Sequence, residues 1–163
     1  MMILYHGSNV VVRRPQLVEQ IRFLDFGKGF YTTESKAQAI AFADKVYRRR
    51  KEGVPTVSIY DFDEESAFAT CTLLRFDSPG EDWLDFVSAH RNGTYQGIDY
   101  ELVYGAVAND DIFATFALYA GGELTKEETI SRLKIKTLYN QLAFSSDRAL
   151  SYLEFAGTLD GEE

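Results

Sequence analysis

The sequence predicts a single α+β domain, and three observations support this. Short strand-like runs and capped helices follow one another without a regular βαβ repeat, which favours segregated rather than alternating elements. The chain has 163 residues, the length of one domain. Its hydrophobic content of 45% is enough for a buried core. We expect the domain to span residues 1–157 and the acidic residues 158–163 to form a flexible tail.

Strands are predicted where apolar and β-branched residues alternate or run together between turn residues. The first covers residues 3–6 and is expected to end at the turn cluster 7–9. The acidic run 61–65 is expected to be the solvated end of a strand. The further predicted strands cover residues 29–33, 56–60, 73–76, 100–104 and 141–144.

Helices are predicted from capping signals followed by helically spaced apolar residues. Ser35 and Gln38 form a capping box for a helix to Arg50, with Gly53 as the residue after its C-cap. Thr125 and Glu128 form another capping box. The remaining helices are expected to begin at Ser78 with Pro79 in first position, to follow 107–111 and end at Gly121, and to run from Ser146 through Leu153 and Phe155.

Composition excludes several classes of function. The formal net charge of −8 argues against non-specific binding to nucleic acid or anionic membranes, which needs clustered basic residues. Cys71 is the only cysteine, so no intrachain disulfide or cysteine-based zinc site is expected, and no metal site is predicted. The N-terminus lacks the features of a signal peptide and no stretch is long and apolar enough to span a membrane, so we expect a cytoplasmic protein.

The stretch DFGKGFYTT (residues 25–33) is the candidate centre of the site. Gly27 and Gly29 indicate a tight turn that leads into a strand. The strand period of two places Tyr31 and Thr33 on one face, so Tyr31 faces either a cleft or an ordinary core. The same two alternatives hold for His6, which ends the first apolar strand.

Three segments carry a resemblance to a known class of enzyme: YHGS (5–8), GKGFYTT (27–33) and NQLAF (140–144). Together they resemble motifs of ADP-ribosyltransferases of the diphtheria-toxin and poly(ADP-ribose) polymerase class. Nearly the whole chain, including residues 107–110 and 138–141, resembles a bacterial family of ADP-ribosyltransferase-like proteins known mainly as a domain of unknown function.

The resemblance implies two split, bent antiparallel β-sheets with surrounding helices and a central NAD cleft. It implies that His6 hydrogen-bonds a ribose and that Gly7 offers its backbone to the nicotinamide carboxamide. Tyr31 would stack on the nicotinamide ring, where an aromatic face is a large, rigid contact. The residues implied to bind NAD are His6, Gly7, Ser8, Gly29, Tyr31 and Thr32.

The third motif departs from the pattern of the class. Its transferases commonly carry a glutamate where this chain has Gln141, which the resemblance makes the third catalytic residue beside His6 and Tyr31. Glutamine keeps a hydrogen bond to a ribose hydroxyl but supplies neither charge nor a base. General-base assistance contributes about 10²–10⁴-fold to rates. Gln141 therefore favours transfer of a single ADP-ribose unit over polymer elongation.

The function implied is a mono-ADP-ribosyltransferase that releases nicotinamide and modifies an unidentified acceptor. It is expected to be toxin-like, with a small antitoxin-like partner protein. One alternative is a catalytically silent module that binds NAD or a partner; another is an interaction protein without a ligand. A nucleophilic pair of Cys71 with a histidine is a poor rival, because nothing around this cysteine in the sequence activates it. Four acids are candidates for an auxiliary role: Asp25, Asp99, Glu101 and Asp110.

Overall fold

The computed structural model describes residues 1–17, 25–107, 113–134 and 139–159, and it confirms the predicted α+β class. Seven strands form one sheet: β1 (Met2–Ser8), β2 (Phe30–Thr33), β3 (Thr56–Phe62), β4 (Leu73–Arg75), β5 (Leu102–Ala106), β6 (Asn140–Phe144) and β7 (Leu153–Thr158). The helices among these residues are α1 (Lys36–Arg50), α2 (Glu64–Thr70), α3 (Glu81–Arg91), α4 (Phe113–Ala120), α5 (Lys126–Lys134) and α6 (Asp147–Leu150).

The strand order in the sheet is β4-β5-β6-β2-β1-β3-β7. β4 and β5 run parallel, and the other neighbouring strands run antiparallel. The parallel pair differs from the expected antiparallel arrangement because α3 lies between β4 and β5 in the chain. A crossover helix carries the chain back to the same end of the sheet, which makes the next strand parallel.

The sheet has apolar side chains on both faces. Leu142 and Phe144 of β6 belong to one core cluster, together with Leu4, Tyr60 and Phe62. On the other face, Ala143 lies with residues of α3, and Trp83, Leu84 and Val87 of this helix are fully buried. The indole N–H of Trp83 donates to the carbonyl of Ala106 at 2.9 Å. Since this anchors α3 on β5, the helix has a fixed position over the sheet.

Helix α1 begins as predicted, because the Ser35 hydroxyl accepts a hydrogen bond from the N–H of Gln38 at 3.1 Å. It ends at Arg50, also as predicted, but Lys51 rather than Gly53 is the first left-handed residue, with φ of 58°. The buried residues Ala39 and Ala43 face β1. Their small side chains allow the helix backbone to approach the sheet closely.

Two predicted boundaries at turn-like residues are wrong. The turn expected at 7–9 does not end the first strand, because Gly7 and Ser8 pair with Val57 and Thr56 of β3. The helix expected from Ser78 begins instead at Glu81 with Gly80 as N-cap. At Gly7 and Ser8 the pairing with β3 outweighs the local turn preference. At Ser78 the N–H of Gly80 donates to the Ser78 carbonyl at 2.8 Å, and this local turn precedes the helix.

Two elements were missed in the sequence. The acidic run 61–65 is the end of β3 followed by α2, whose N-cap Asp63 accepts from the N–H of Ser66 at 3.2 Å. The last helix stops at Leu150, and the predicted helical residues Leu153 and Phe155 belong to β7, which pairs with β3. Both errors come from short elements with weak periodicity.

No helix among the described residues is long and apolar enough to cross a membrane. Residues 108–110 and 138, which contribute to the resemblance, lie outside the described residues. The same is true of Asp110 and of the tail residues 160–163.

Candidate functional site

The three motif segments lie on three neighbouring strands, β1, β2 and β6. On β2, Thr33 stands opposite Tyr5 of β1 on one side and opposite Gln141 of β6 on the other. Segments from the two ends of the chain thus meet at one place in the sheet. Strand β2, which carries the end of the glycine-rich motif, lies at its centre.

Strands β1 and β2 separate just beyond Tyr5 and Thr33. In the described residues their ladder consists of this one pair, whereas β1 pairs with β3 along its whole length. A continued antiparallel register would place Gly7 opposite Tyr31. Instead, Nδ1 of the His6 ring lies 2.7 Å from the Tyr31 carbonyl oxygen. A side chain therefore bridges the two strands where their backbones diverge.

The contacts of His6 fix its tautomer. A carbonyl oxygen only accepts hydrogen bonds, so Nδ1 carries the proton and Nε2 carries the lone pair. Burial lowers the pKa of the imidazole, the hydrogen bond to Tyr31 opposes this, and the charge of Arg50 lowers the pKa further. The ring also stacks on Phe30 at a centroid distance of 4.2 Å. His6 is consequently a neutral, rigid acceptor at Nε2.

Tyr31 is held by the segment that precedes it, residues 25–29, which we call the glycine loop. Its hydroxyl accepts from the N–H of Phe26 at 2.9 Å and donates to the carbonyl of Gly27 at 2.5 Å. The ring is half-buried and packs in the cluster that contains Phe26 and Ala143. Burial raises the pKa of the phenol and the charge of Asp25 raises it further. Tyr31 is thus a neutral, half-buried side chain whose hydroxyl pins the glycine loop.

Gln141 is buried and lies against a carboxylate. Its Nε2 donates to Oδ2 of Asp25 at 3.2 Å, and Asp25 itself is only 6% exposed. The other carboxylate oxygen, Oδ1, lies 2.6 Å from Nε of Arg91 on α3. A carboxylate that pairs with a guanidinium accepts hydrogen bonds, so the amide nitrogen of Gln141 must face Asp25. The carbonyl oxygen Oε1 of Gln141 is therefore not the atom that contacts Asp25.

Helix α3 supports the glycine loop at a second point. Gly27 has a left-handed φ of 86°, and a Cβ on it would lie 2.9 Å from Cδ2 of His90. Only glycine fits this backbone conformation and this contact without strain. Together with the Arg91–Asp25 ion pair, the end of α3 therefore sets the position of the loop beside Gln141.

The structure distinguishes the candidate auxiliary acids by the residues that they contact. Asp25 contacts Gln141, whereas Glu101 accepts from Arg148 at 2.5 Å, from Ser146 at 2.7 Å and from the N–H of Thr72 at 3.0 Å. The hydrogen bonds from Arg148, then those from Ser146 and Thr72, lower the pKa of Glu101 to about 2. Glu101 therefore ties α6 to the start of β4 and serves the fold. The charge of Asp99 acts on His90 of α3.

The remaining residues implied to bind NAD also have contacts within the fold. A Cβ on Gly7 would lie 2.3 Å from the Ala39 carbonyl oxygen of α1, and one on Gly29 would lie 2.7 Å from that of Phe144. The hydroxyl of Thr32 donates to the Leu142 carbonyl at 2.9 Å, and that of Ser8 donates to Oδ1 of Asn9 at 3.3 Å. Close packing thus requires both glycines whatever the ligand.

The candidate residues do not all lie on one face of the sheet. Tyr31 and Gln141 share the face of Ala143 and α3, in agreement with the predicted alternation of β2. His6 contacts Phe30, whose side chain belongs to the opposite cluster. Among the described residues, no group of three or more His, Cys, Asp or Glu side chains is placed to hold a metal ion. Cys71 is buried, and burial raises the pKa of its thiol.

Sequence reasoning missed Arg91 and could not rank Asp25. These residues are 66 positions apart, and Asp25 is 116 positions from Gln141, so no local spacing signals their contact. The one available signal was that Asp25 begins the glycine loop, close in sequence to Gly27.

Comparison with known proteins identifies one family. The model of a family described as "Protein of unknown function (DUF3990)" matches residues 2–155, nearly the whole chain. No curated protein and no solved structure matches the sequence.

Proposed function

We propose that this chain, which belongs to the DUF3990 family, is an NAD-dependent mono-ADP-ribosyltransferase that releases nicotinamide. The observation that carries the proposal is the meeting of the YHGS, GKGFYTT and NQLAF segments on adjacent strands. The resemblance rests on these three segments, and a shared site requires that they lie together.

The separation of β1 and β2 supports an NAD cleft between two halves of the sheet. The strands diverge after Tyr5 and Thr33, and a continued ladder would have paired Gly7 with Tyr31. These are the two residues to which the resemblance gives the nicotinamide carboxamide and the nicotinamide ring. We therefore propose that the nicotinamide binds between these two residues.

His6 suits contact with a ribose. Its Nδ1 proton is engaged by the Tyr31 carbonyl, so Nε2 offers a lone pair to a ribose hydroxyl. The lowered pKa keeps the ring neutral near pH 7, which preserves this acceptor. Tyr31 is rigid because its hydroxyl has two backbone partners, and a ring that is already ordered loses little entropy on stacking.

The chemistry needs no metal or covalent nucleophile of the protein. The bond between C1′ of the ribose and the nicotinamide nitrogen breaks, and nicotinamide leaves with the bonding electrons. The positive charge that develops at C1′ is stabilised by hydrogen bonding at the 2′-hydroxyl, which Oε1 of Gln141 would accept. The acceptor's nucleophilic atom then bonds to C1′ and releases its proton to solvent. An acceptor that is already nucleophilic suits a site with glutamine at position 141.

The direct test is nicotinamide release from NAD by the purified protein, alone and with cell lysate as the source of acceptors. We expect His6→Ala and Tyr31→Ala each to lower kcat/KM at least about tenfold, because each removes about 1.4 kcal/mol or more of transition-state stabilisation. Tyr47→Ala is the matched control, since Tyr47 is an exposed tyrosine of α1. Release that is equal in all four proteins would refute the assignment of the site.

A second candidate function is an NAD-binding module without catalysis. It is favoured by one observation: the amide of Gln141 is committed to Asp25, and glutamine cannot act as a base. Calorimetric titration with NAD distinguishes the two functions. Binding that is weakened by His6→Ala, with no nicotinamide released over hours by the wild-type protein, would favour the module over the enzyme.

A further inference from the structure

We propose that Asp25 is a positioning residue that supplies, through Gln141, the negative charge that a glutamate commonly provides in the class that this chain resembles. The inference rests on the proposed function, which it deepens by assigning a further residue to the reaction. Asp25 and Gln141 would act as one unit, with the charge on the aspartate and the ribose-facing oxygen on the glutamine.

The geometry of the pair supports this division of roles. Both side chains are buried, with 6% and 8% of their surface exposed, and Nε2 of Gln141 lies 3.2 Å from Oδ2 of Asp25. An amide held by a carboxylate cannot rotate freely without losing a charge-assisted hydrogen bond. Oε1 of Gln141 is therefore held in one direction, as a hydrogen-bond acceptor.

The charge of Asp25 reaches the site electrostatically as well. A hydrogen bond to a carboxylate polarises the amide and makes its carbonyl oxygen a stronger acceptor, since linked hydrogen bonds strengthen one another in a low-dielectric interior. Burial raises the pKa of Tyr31 and the same carboxylate raises it further, while the charge of Arg91 acts in the opposite direction. Positive charge that develops on a ribose beside Gln141 would thus be stabilised by the Asp25 carboxylate, which acts through Gln141 rather than by contact with the ribose.

Arg91 keeps this anion in place. Its Nε lies 2.6 Å from Oδ1 of Asp25, and its side chain is 22% exposed. A buried carboxylate without such a partner would be costly. A glutamate at position 141 would put a second carboxylate within hydrogen-bonding distance of the first, and two such groups cannot both be ionised. The glutamine is therefore the residue that suits a site in which the charge already belongs to Asp25.

The test is an exchange of the acid and the amide. Three variants are compared with the wild type for nicotinamide release: Asp25→Asn, Gln141→Glu and the double variant with both changes. Asp77→Asn and Gln96→Glu are the matched controls, because they make the same chemical changes at exposed positions. Circular dichroism and thermal melting verify that each variant is folded.

We expect Asp25→Asn to lower kcat by about tenfold to a hundredfold with a smaller change in KM, which is the scale of a charged hydrogen bond. In the double variant, the new amide at position 25 can donate to the new carboxylate at position 141, while its carbonyl oxygen still accepts from Arg91. We therefore expect the double variant to recover at least about a tenth of the wild-type kcat at pH 7. A role confined to folding would let the double variant recover its melting temperature but not its kcat.

The Gln141→Glu variant adds a pH profile. The two adjacent carboxyl groups share a proton, so the pKa of the pair is raised. The protonated pair reproduces the hydrogen bond of the wild type, so kcat should be highest at low pH and fall as pH rises through the raised pKa. The double variant, with one carboxyl group, should lack this fall. If Asp25→Asn cannot be purified, these two variants still decide the question.

Two failures can be told apart. A wild-type protein that releases no nicotinamide, whether or not it binds NAD, would overturn the proposed enzyme, and the catalytic role of Asp25 with it. A wild-type protein that releases nicotinamide, with Asp25→Asn as active as Asp77→Asn, would overturn only the present inference. The inference is equally overturned if the double variant is no better than the worse of the two single variants.

Discussion

A glycine follows His6 because the backbone of α1 leaves no room for a side chain at position 7. The sequence suggests a turn or a ligand contact at Gly7, and the structure adds a third reason, the packing of α1. A Cβ on Gly7 would lie 2.3 Å from the carbonyl oxygen of Ala39 and 2.8 Å from the amide nitrogen of Ala43. Both atoms belong to the helix backbone, so no side-chain movement can relieve the contact. Gly7 therefore allows α1 to approach β1.

The substitution Gly7→Ala should consequently destabilise the fold whether or not NAD binds. We expect a loss of about 1–3 kcal/mol or more in the free energy of unfolding, the usual cost of overpacking. Gly80→Ala is the matched control, since a Cβ there would meet only Ser78 Oγ at 3.7 Å. Urea denaturation measures both. Equal stability of the two variants would show that α1 moves away from β1 at little cost.

At the scale of elements, the sequence was sufficient where one local signal decides the structure. The capping box at Thr125 is confirmed by reciprocal hydrogen bonds between Thr125 and Glu128. At Ser35 the predicted N-cap is confirmed, but the N–H of Ser35 donates to Thr33 Oγ1 rather than to Gln38. It was insufficient where a distant strand decides. Leu153 follows Leu150 by three residues, which favours a helix, but β3 offers Leu153 and Phe155 a partner strand, and pairing prevails over this weak local preference.

The same limit applies to the candidate site. His6, Tyr31 and Gln141 could be proposed because each lies in a recognisable motif. Asp25 could not be ranked against Glu101, since the difference between them lies in their partners. One contacts Gln141, and the other contacts Arg148 and Ser146 at the start of α6. A single sequence contains both acids but not the contacts that distinguish them.

The role of Glu101 as a link between elements predicts a pH-dependent stability. Its pKa in the folded state is about 2, below the value of about 4.3 expected for an unfolded chain. A carboxyl group whose pKa is lower in the folded state than in the unfolded chain stabilises the fold at pH values above its unfolded-state pKa. This stabilisation is lost as the pH falls towards the folded-state pKa. Glu101→Gln should therefore lower the melting temperature at pH 7, with a difference from wild type that shrinks below about pH 4 and disappears near pH 2.

Thermal melts from pH 2 to pH 8 measure this difference. Glu123→Gln is the control, because it changes a glutamate at an exposed position. The control should follow the wild-type curve at each pH. A loss in Glu101→Gln that is the same at pH 2 and pH 7 would show that shape rather than charge explains the contribution of Glu101.

For the whole molecule, the sheet consists of two well-paired groups of strands with a short junction. β1 pairs with β3 over seven residue pairs, and β2 pairs with β6 over four, but β1 and β2 meet at Tyr5 and Thr33. The His6–Tyr31 hydrogen bond and α1, which follows β2 and packs on β1, add to this junction. Fewer pairs at the junction mean a smaller free energy for opening there than within either group.

Native-state hydrogen exchange at increasing denaturant concentration should therefore resolve two cooperative units, β1-β3-β7 and β2-β6-β5-β4, which open with different free energies. NAD that binds between them should raise the protection of both units together, because it would contact residues of each. His6→Ala should lower protection most in β1 and β2, since it removes the bridge to the Tyr31 carbonyl, whereas Tyr47→Ala should not. One common opening free energy for all seven strands, unchanged by His6→Ala, would show that the sheet behaves as a single unit and that the junction is not its weak point.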